Sequence, residues 1–102
     1  MMIYDSFKIA GQLHREGGPA YIEYDKNVCG EVCLEKYFIA GKLHRENSPA
    51  VIYFHYNGNI ALEQYYIDGI KHREGGPAHI LYHSDGGVLY ISYYRNGDIL
   101  YI

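Results

Sequence analysis

Tryptophan is absent from this chain, and its 102 residues include only three prolines and two cysteines. Two cysteines cannot build the disulfide framework of a small secreted domain, so Cys29 and Cys33 are read as reduced, inert thiols. No apolar run approaches the roughly 20 residues that a membrane helix needs, which predicts no membrane association. Residues 1–8 lack a basic segment followed by an apolar stretch, so no signal peptide is expected and the setting is read as cytoplasmic. Strong charge of either sign is missing too: Lys plus Arg is 9, Asp plus Glu is 12, and the formal net charge is -3. That balance argues against nucleic acid as the partner, because a binder of that backbone carries a basic face. No window shows a helical period, and the length allows one domain.

What the chain does contain is recurrence. His-Arg-Glu appears as His14-Arg15-Glu16, His44-Arg45-Glu46 and His72-Arg73-Glu74, followed at a constant distance by Pro19-Ala20, Pro49-Ala50 and Pro77-Ala78. The preceding glycines Gly11, Gly41 and Gly69 are separated by 30 and then 28 positions, which places a two-residue insertion near Val28-Cys29. Insertions in repeat arrays map to loops, so Cys29 is expected in a turn. The spacing divides residues 1–102 into a half repeat 2–9, repeats 10–39, 40–67 and 68–95, and a capping strand 98–102 that lacks the motif.

Each Pro-Ala opens a short alternating stretch. Ala20, Ile22 and Tyr24, then Ala50, Ile52 and Phe54, then Ala78, Ile80 and Tyr82 lie two apart and predict a core-facing side of a strand. The intervening Tyr21 and Glu23, Val51 and Tyr53, His79 and Leu81 form the freer surface. Asn57-Gly58 and Asp85-Gly86 signal tight turns. Second strands follow over residues 32–39, 60–67 and 88–95, each ending in an aromatic pair: Tyr37-Phe38, Tyr65-Tyr66 and Tyr93-Tyr94. The expected fold is an all-β antiparallel meander of about eight strands in a single twisted or curled sheet.

The runs Gly-x-Leu-His-Arg-Glu-x-x-Pro-Ala, the following Ile-x-Tyr and the Tyr-Tyr-x-x-Gly turns resemble the tandem repeats of phage and giant-virus proteins, which read Asn-Gly-Lys-x-His-Arg-Glu-Asp-Gly-Pro-Ala. These look like variants of the MORN repeat. The resemblance covers roughly residues 4 to 97. It implies an all-β array of hairpin repeats and a viral origin, and it carries over no catalytic residue. The chain departs from the pattern after Glu, with Gly17, Asn47 and Gly75 where Asp is commonest, and with Ser48 in place of Gly.

The six histidines raise the question of metal, and the spacing answers against it. One repeat contributes two strands, so His14, His44 and His72 stand about 10 Å apart, whereas ligands of one zinc lie within about 4 Å of each other. His79 and His83 are about 13 Å apart along a strand. Neither a metal nor another cofactor is expected. Catalysis by His-Arg-Glu is disfavoured because a catalytic site is normally a unique constellation, whereas this one occurs three times. The reading is a structural ladder of His14, Arg15, Glu16, Pro19, His44, Arg45, Glu46, Pro49, His72, Arg73, Glu74 and Pro77. In it Arg pairs with Glu, and His bonds a turn carbonyl.

Two aromatic ladders, Phe7-Tyr37-Tyr65-Tyr93 and Lys8-Phe38-Tyr66-Tyr94, point to opposite faces of a sheet. A one-layer sheet cannot bury both. The expected function is therefore a non-catalytic protein-binding module with Tyr21, Glu23, Asp25, Glu35, Tyr53, His55, Glu63, His79 and His83 as candidate contacts. The viral resemblance implies an inhibitor of a host factor such as a CRISPR nuclease, with Glu23, Asp25, Glu35 and Glu63 meeting a basic groove. The alternative is a self-assembling structural protein, including a homodimer through an edge strand near residues 2–9 or 99–102. A small-ligand binder or enzyme ranks below both.

Overall fold

The computed structural model describes residues 2–25, 27 and 32–100, and among these every regular element is a β-strand. In chain order they are β1 (Ile3–Ser6), β2 (Lys8–Ile9), β3 (Gln12–Leu13), β4 (Tyr21–Tyr24), β5 (Val32–Lys36), β6 (Phe38–Ile39), β7 (Lys42–Leu43), β8 (Val51–Phe54), β9 (Ile60–Gln64), β10 (Tyr66–Ile67), β11 (Ile70–Lys71), β12 (His79–Tyr82), β13 (Val88–Arg95) and β14 (Asp98–Leu100). Eight strands form one open antiparallel sheet in the order β1-β4-β5-β8-β9-β12-β13-β14. The other six form three hairpins, β2–β3, β6–β7 and β10–β11. The all-β antiparallel expectation holds. The single continuous meander is corrected to a main sheet with small sheets beside it.

The break has a local cause. The strands expected over 32–39 and 60–67 are interrupted at Tyr37 and Tyr65, where the backbone changes partners. The Tyr37 N–H donates to Ala50 O at 2.7 Å, and its carbonyl accepts from His44 N at 3.0 Å. Phe7 is held in the same way by Ala20 and His14, and Tyr65 by Ala78 and His72. Before this seam the strand pairs in the main sheet; after it the strand belongs to a hairpin. β13 does both without a break, pairing with β12 and then, through Tyr93, Tyr94 and Arg95, with β14. Neighbouring hairpins are tied sideways by Gly41 N to Leu13 O at 2.9 Å, Gly69 N to Leu43 O at 2.7 Å and Gly97 N to Lys71 O at 2.9 Å.

Each hairpin turns through two left-handed residues: Ala10-Gly11, Ala40-Gly41, Asp68-Gly69 and Asn96-Gly97, with φ of 50–52° at the first and 80–86° at the second. This is the tight turn whose twist matches its strands. Left-handed backbone also explains the residue after each Glu. Gly17, Asn47 and Gly75 have φ of 83°, 63° and 80°, a region that Gly and Asn enter at low cost.

Where β4, β8 and β12 meet the next strand, the register shifts between Glu23 and Tyr24, Tyr53 and Phe54, and Leu81 and Tyr82. The extra residue of each bulge is Cys33, Ala61 or Leu89. Beyond the bulges two register lines cross seven strands. One runs Asp5, Ile22, Glu35, Ile52, Glu63, Ile80, Ile91; the other runs Tyr4, Glu23, Leu34, Tyr53, Leu62, Leu81, Tyr90. Alternation puts the first line on one face and the second on the other.

The expected core side is buried: Ala20, Ala50 and Ala78 are 0% exposed, and Ile22, Ile52 and Ile80 are 8% exposed. Leu34 and Val51 are buried on the opposite face, so burial is shared between the two sides. Among the described residues no large side chain is fully buried, and the molecule measures 42 × 38 × 17 Å. That thickness fits one sheet with its side chains, not two packed layers. Cys33 is buried and is not a free thiol, which corrects the expectation of a reduced, inert thiol there. Cys29 and its expected turn lie outside the described residues, as do residues 101–102 of the expected capping strand. Among the described residues no helix is long and apolar enough to cross a membrane.

Alanine is a poor residue for the left-handed first position of these turns, and Asn96 occupies the same position in the last one. Ala40→Asn should raise stability by about 0.5 to 1 kcal/mol, read as a higher urea midpoint at unchanged slope.

Candidate functional site

The His-Arg-Glu segments form brackets around the seam residues. The Arg15, Arg45 and Arg73 guanidinium groups lie 4.1, 3.9 and 4.1 Å from the ring centroids of Phe7, Tyr37 and Tyr65. Each Nη1 also donates to the carbonyl of its own proline: Pro19 at 3.2 Å, Pro49 at 3.2 Å and Pro77 at 3.0 Å. The arginine thus fastens the returning loop to the aromatic ring on which the strand changes partners. The expected Arg–Glu pairing is corrected. Glu16, Glu46 and Glu74 are exposed, and Glu16 Oε2 stands 3.8 Å from His14 Nε2. Gly18 and Gly76 bring backbone close to the guanidinium, while Ser48 occupies the same place in the middle segment without displacing Arg45.

The histidines are corrected as well. Each accepts rather than donates, and its partner is a turn amide rather than a turn carbonyl. Ala40 N donates to His14 Nδ1 at 2.9 Å, Asp68 N to His44 Nδ1 at 3.0 Å, and Asn96 N to His72 Nδ1 at 2.9 Å. An accepting Nδ1 requires a neutral imidazole with its proton on Nε2. Each histidine therefore joins its own loop to the left-handed turn of the next hairpin.

Two open clefts lie between successive brackets. One of about 500 Å³ is bordered by Arg15, Glu16, Tyr37, His44 and Arg45, and one of about 400 Å³ by Arg45, Glu46, Tyr65, His72 and Arg73. Their imidazoles and guanidinium groups are already held by backbone and rings, which suits fastening rather than proton transfer. Among the described residues no group of three His, Cys, Asp or Glu is placed to hold one metal ion.

The candidate contact residues divide between the faces. Tyr21, Glu23, Tyr53 and His79 share the face of the Tyr4–Tyr90 line, because Tyr21, Lys36, Val51, Gln64 and His79 form the neighbouring register line. Glu35 and Glu63 lie on the opposite face. Asp25 is buried, and its Oδ1 accepts from Asn27 N at 3.0 Å, so it is not a surface contact. The four acids expected to act together in a basic groove are therefore not assembled, because strand alternation and one buried turn separate them. His55 Nε2 lies 2.9 Å from Tyr82 O and bridges strand ends, while His83 is exposed in the next turn.

Sequence reading did not single out Tyr4, Leu62, Leu81 or Tyr90 as contacts. Their alignment depends on the bulges, and only the period of two within each strand pointed toward it. Tyr4, Tyr53 and Tyr90 are 65%, 40% and 53% exposed. The Tyr4 ring stacks on Tyr21 at 6.1 Å, and Tyr90 meets the His79 ring edge-on at 6.0 Å.

Two tyrosine hydroxyls are held by carboxylates. Tyr21 donates to Glu23 Oε2 at 2.7 Å, and this bond, with burial, pushes its pKa up to about 12. Tyr82 donates to Glu63, and burial followed by that bond pushes it up to about 12 as well. Protein-family models, curated proteins and solved structures were compared with this chain, and none matches it.

His44→Leu leaves the Asp68 amide without its acceptor and should cost about 1 kcal/mol in denaturant unfolding, toward the low end because the amide is exposed. His44→Asn offers an oxygen near the Nδ1 position and should recover most of that loss. In alkaline titration Tyr21 and Tyr82 should ionise last. Their folded pKa values lie above the ordinary tyrosine value of 10.0, so their contribution to stability is complete below that pH and is lost as pH rises through about 12. Tyr82→Phe should remove part of the late tyrosinate absorbance, and Phe54 already fills the equivalent place.

Proposed function

We propose that the protein is a non-catalytic protein-binding module that docks its partner across the face carrying the Tyr4–Tyr90 line. The observation behind this reading is the register line itself. Three exposed tyrosines, with Leu34, Leu62 and Leu81 between them, cross seven strands of a single-layer sheet. Six strand steps span about 29 Å, the width of an ordinary protein interface. Tyrosine is enriched in such interfaces because its ring is large and rigid and its hydroxyl can bond at the rim. The opposite face is more acidic in its central line, with Asp5, Glu35 and Glu63 alternating with isoleucines.

The finer architectural reading is a stack of MORN-like hairpin repeats. The recurrence of the arginine, histidine and glycine contacts at each His-Arg-Glu segment supports it. Its resemblance to phage and giant-virus repeats supports a role as an inhibitor of a host factor, with a defence nuclease as one target class. Self-association is the second reading. Val88, Leu89, Tyr90 and Ile91 are 59%, 52%, 53% and 42% exposed along β13, which among the described residues pairs with β14 through Tyr93, Tyr94 and Arg95. An exposed apolar strand near the side of a sheet is a template for pairing.

Binding of a purified partner, first captured from host lysate, should fall roughly tenfold or more in Tyr53→Ala and stay unchanged in Glu35→Gln. Loss confined to Glu35→Gln would move the interface to the other face. Light scattering that shows a dimer or filament at micromolar concentration, abolished by Tyr90→Lys, would favour self-association instead.

A further inference from the structure

One side chain on the Tyr4–Tyr90 face differs in chemistry from all its structural counterparts. Lys71 pairs with Tyr66 in the third hairpin, and the equivalent positions are Leu13, Leu43 and Ile99. Three aliphatic residues in four show that the hairpin does not need an amine there. The Lys71 Nζ lies 5.7 Å from the Tyr66 ring centroid and 4.8 Å from that of Tyr94. No carboxylate pairs with it among the described residues.

The surroundings are equally particular to this corner. His79 lies between Gln64 and Ser92 in the register, and Gln64 Nε2 stands 3.2 Å from His79 Nδ1. The corresponding residues in the other segments are Val51 and Tyr21, so the imidazole occurs here alone. Burial holds Lys71 below the usual amine range, and burial together with the Lys71 charge lowers His79. Both groups are partly dehydrated, and neither is paired with a carboxylate among the described residues.

We propose that Lys71, held between Tyr66 and Tyr94 beside His79, forms a subsite for a compact oxyanion, a carboxylate or phosphate presented by the docked partner. This rests on the reading that the partner covers this face, and it names the chemistry the partner brings to one end of it. Burial beside the two rings partly removes the amine from bulk water, which strengthens its attraction for an anion. His79 offers Nε2–H when Nδ1 accepts from Gln64. A lysine point charge with one imidazole donor suits a small anion better than an extended polyanion.

The test needs no partner. The isotope-labelled chain is titrated with sodium acetate and, separately, with inorganic phosphate, at constant ionic strength maintained with chloride, while the Lys71 and His79 side-chain resonances are followed. The expected result is a saturable shift of both in at least one series, with the tighter series naming the anion. Lys71→Leu, which copies Leu13 and Leu43, should keep the fold and the melting temperature and abolish the saturation. Lys71→Met should do the same. Shifts that merely follow chloride, or saturation that survives in both variants, would overturn the subsite. Failure here leaves docking through Tyr53 intact. Failure of Tyr53→Ala to weaken partner binding removes the docking face while leaving the anion shifts to be judged separately.

Discussion

One backbone residue per segment has to serve two hydrogen-bonding systems at once, and the rest of the molecule is arranged around that constraint. At Phe7, Tyr37 and Tyr65 the N–H points to a strand of the main sheet and the carbonyl to a returning loop. Such a junction cannot follow a uniform ladder. It needs a bulky side chain to brace it, and the arginine stacked on that ring supplies the brace while its Nη1 secures the proline carbonyl. The histidine then fixes the following turn. Each segment is fastened internally by arginine and to its neighbour by histidine, which separates the roles of two residues that stand side by side in sequence.

This arrangement bears on function by accounting for the residues that most resemble chemistry. Imidazole, guanidinium and carboxylate recur three times, yet the first two are engaged with backbone and rings and the third points to water. Outside the brackets, one face of the sheet carries exposed tyrosines along one register line, with a lysine and a histidine at one end. A surface of that kind supports recognition of another macromolecule through area and a few directed contacts.

Much of this was legible beforehand. The constant distance from His-Arg-Glu to Pro-Ala fixed the order of strands and turns, and the alternation Ala-Ile-Tyr marked the buried side. The histidine and arginine partners were not legible, because both lie across space from their sequence neighbours. Local chemistry suggested Glu and a carbonyl, whereas the fold offers a ring, a proline carbonyl and a turn amide. The proposed contact face was half legible. Tyr21, Glu23, Tyr53 and His79 followed from period-two alternation, but the bulges at Cys33, Ala61 and Leu89 decide which residues of the next strands join them. Asp25 illustrates the same limit: in sequence it is a charged residue in a turn, and in the fold it is buried and bonded to Asn27. Sequence reading did not single out Lys71, and the closeness of two tyrosine rings is what gives its departure from Leu13 and Leu43 a meaning.

The most direct test of the bracket is a double-mutant cycle between Arg45 and Tyr37. Arg45→Gln, Tyr37→Leu and the double variant are compared by urea unfolding. A guanidinium stacked 3.9 Å from the ring centroid should give a coupling energy of about 1 kcal/mol. A coupling indistinguishable from zero, with Arg45 coupled instead to Glu46, would contradict the account and restore the ion pair that the sequence alone suggested.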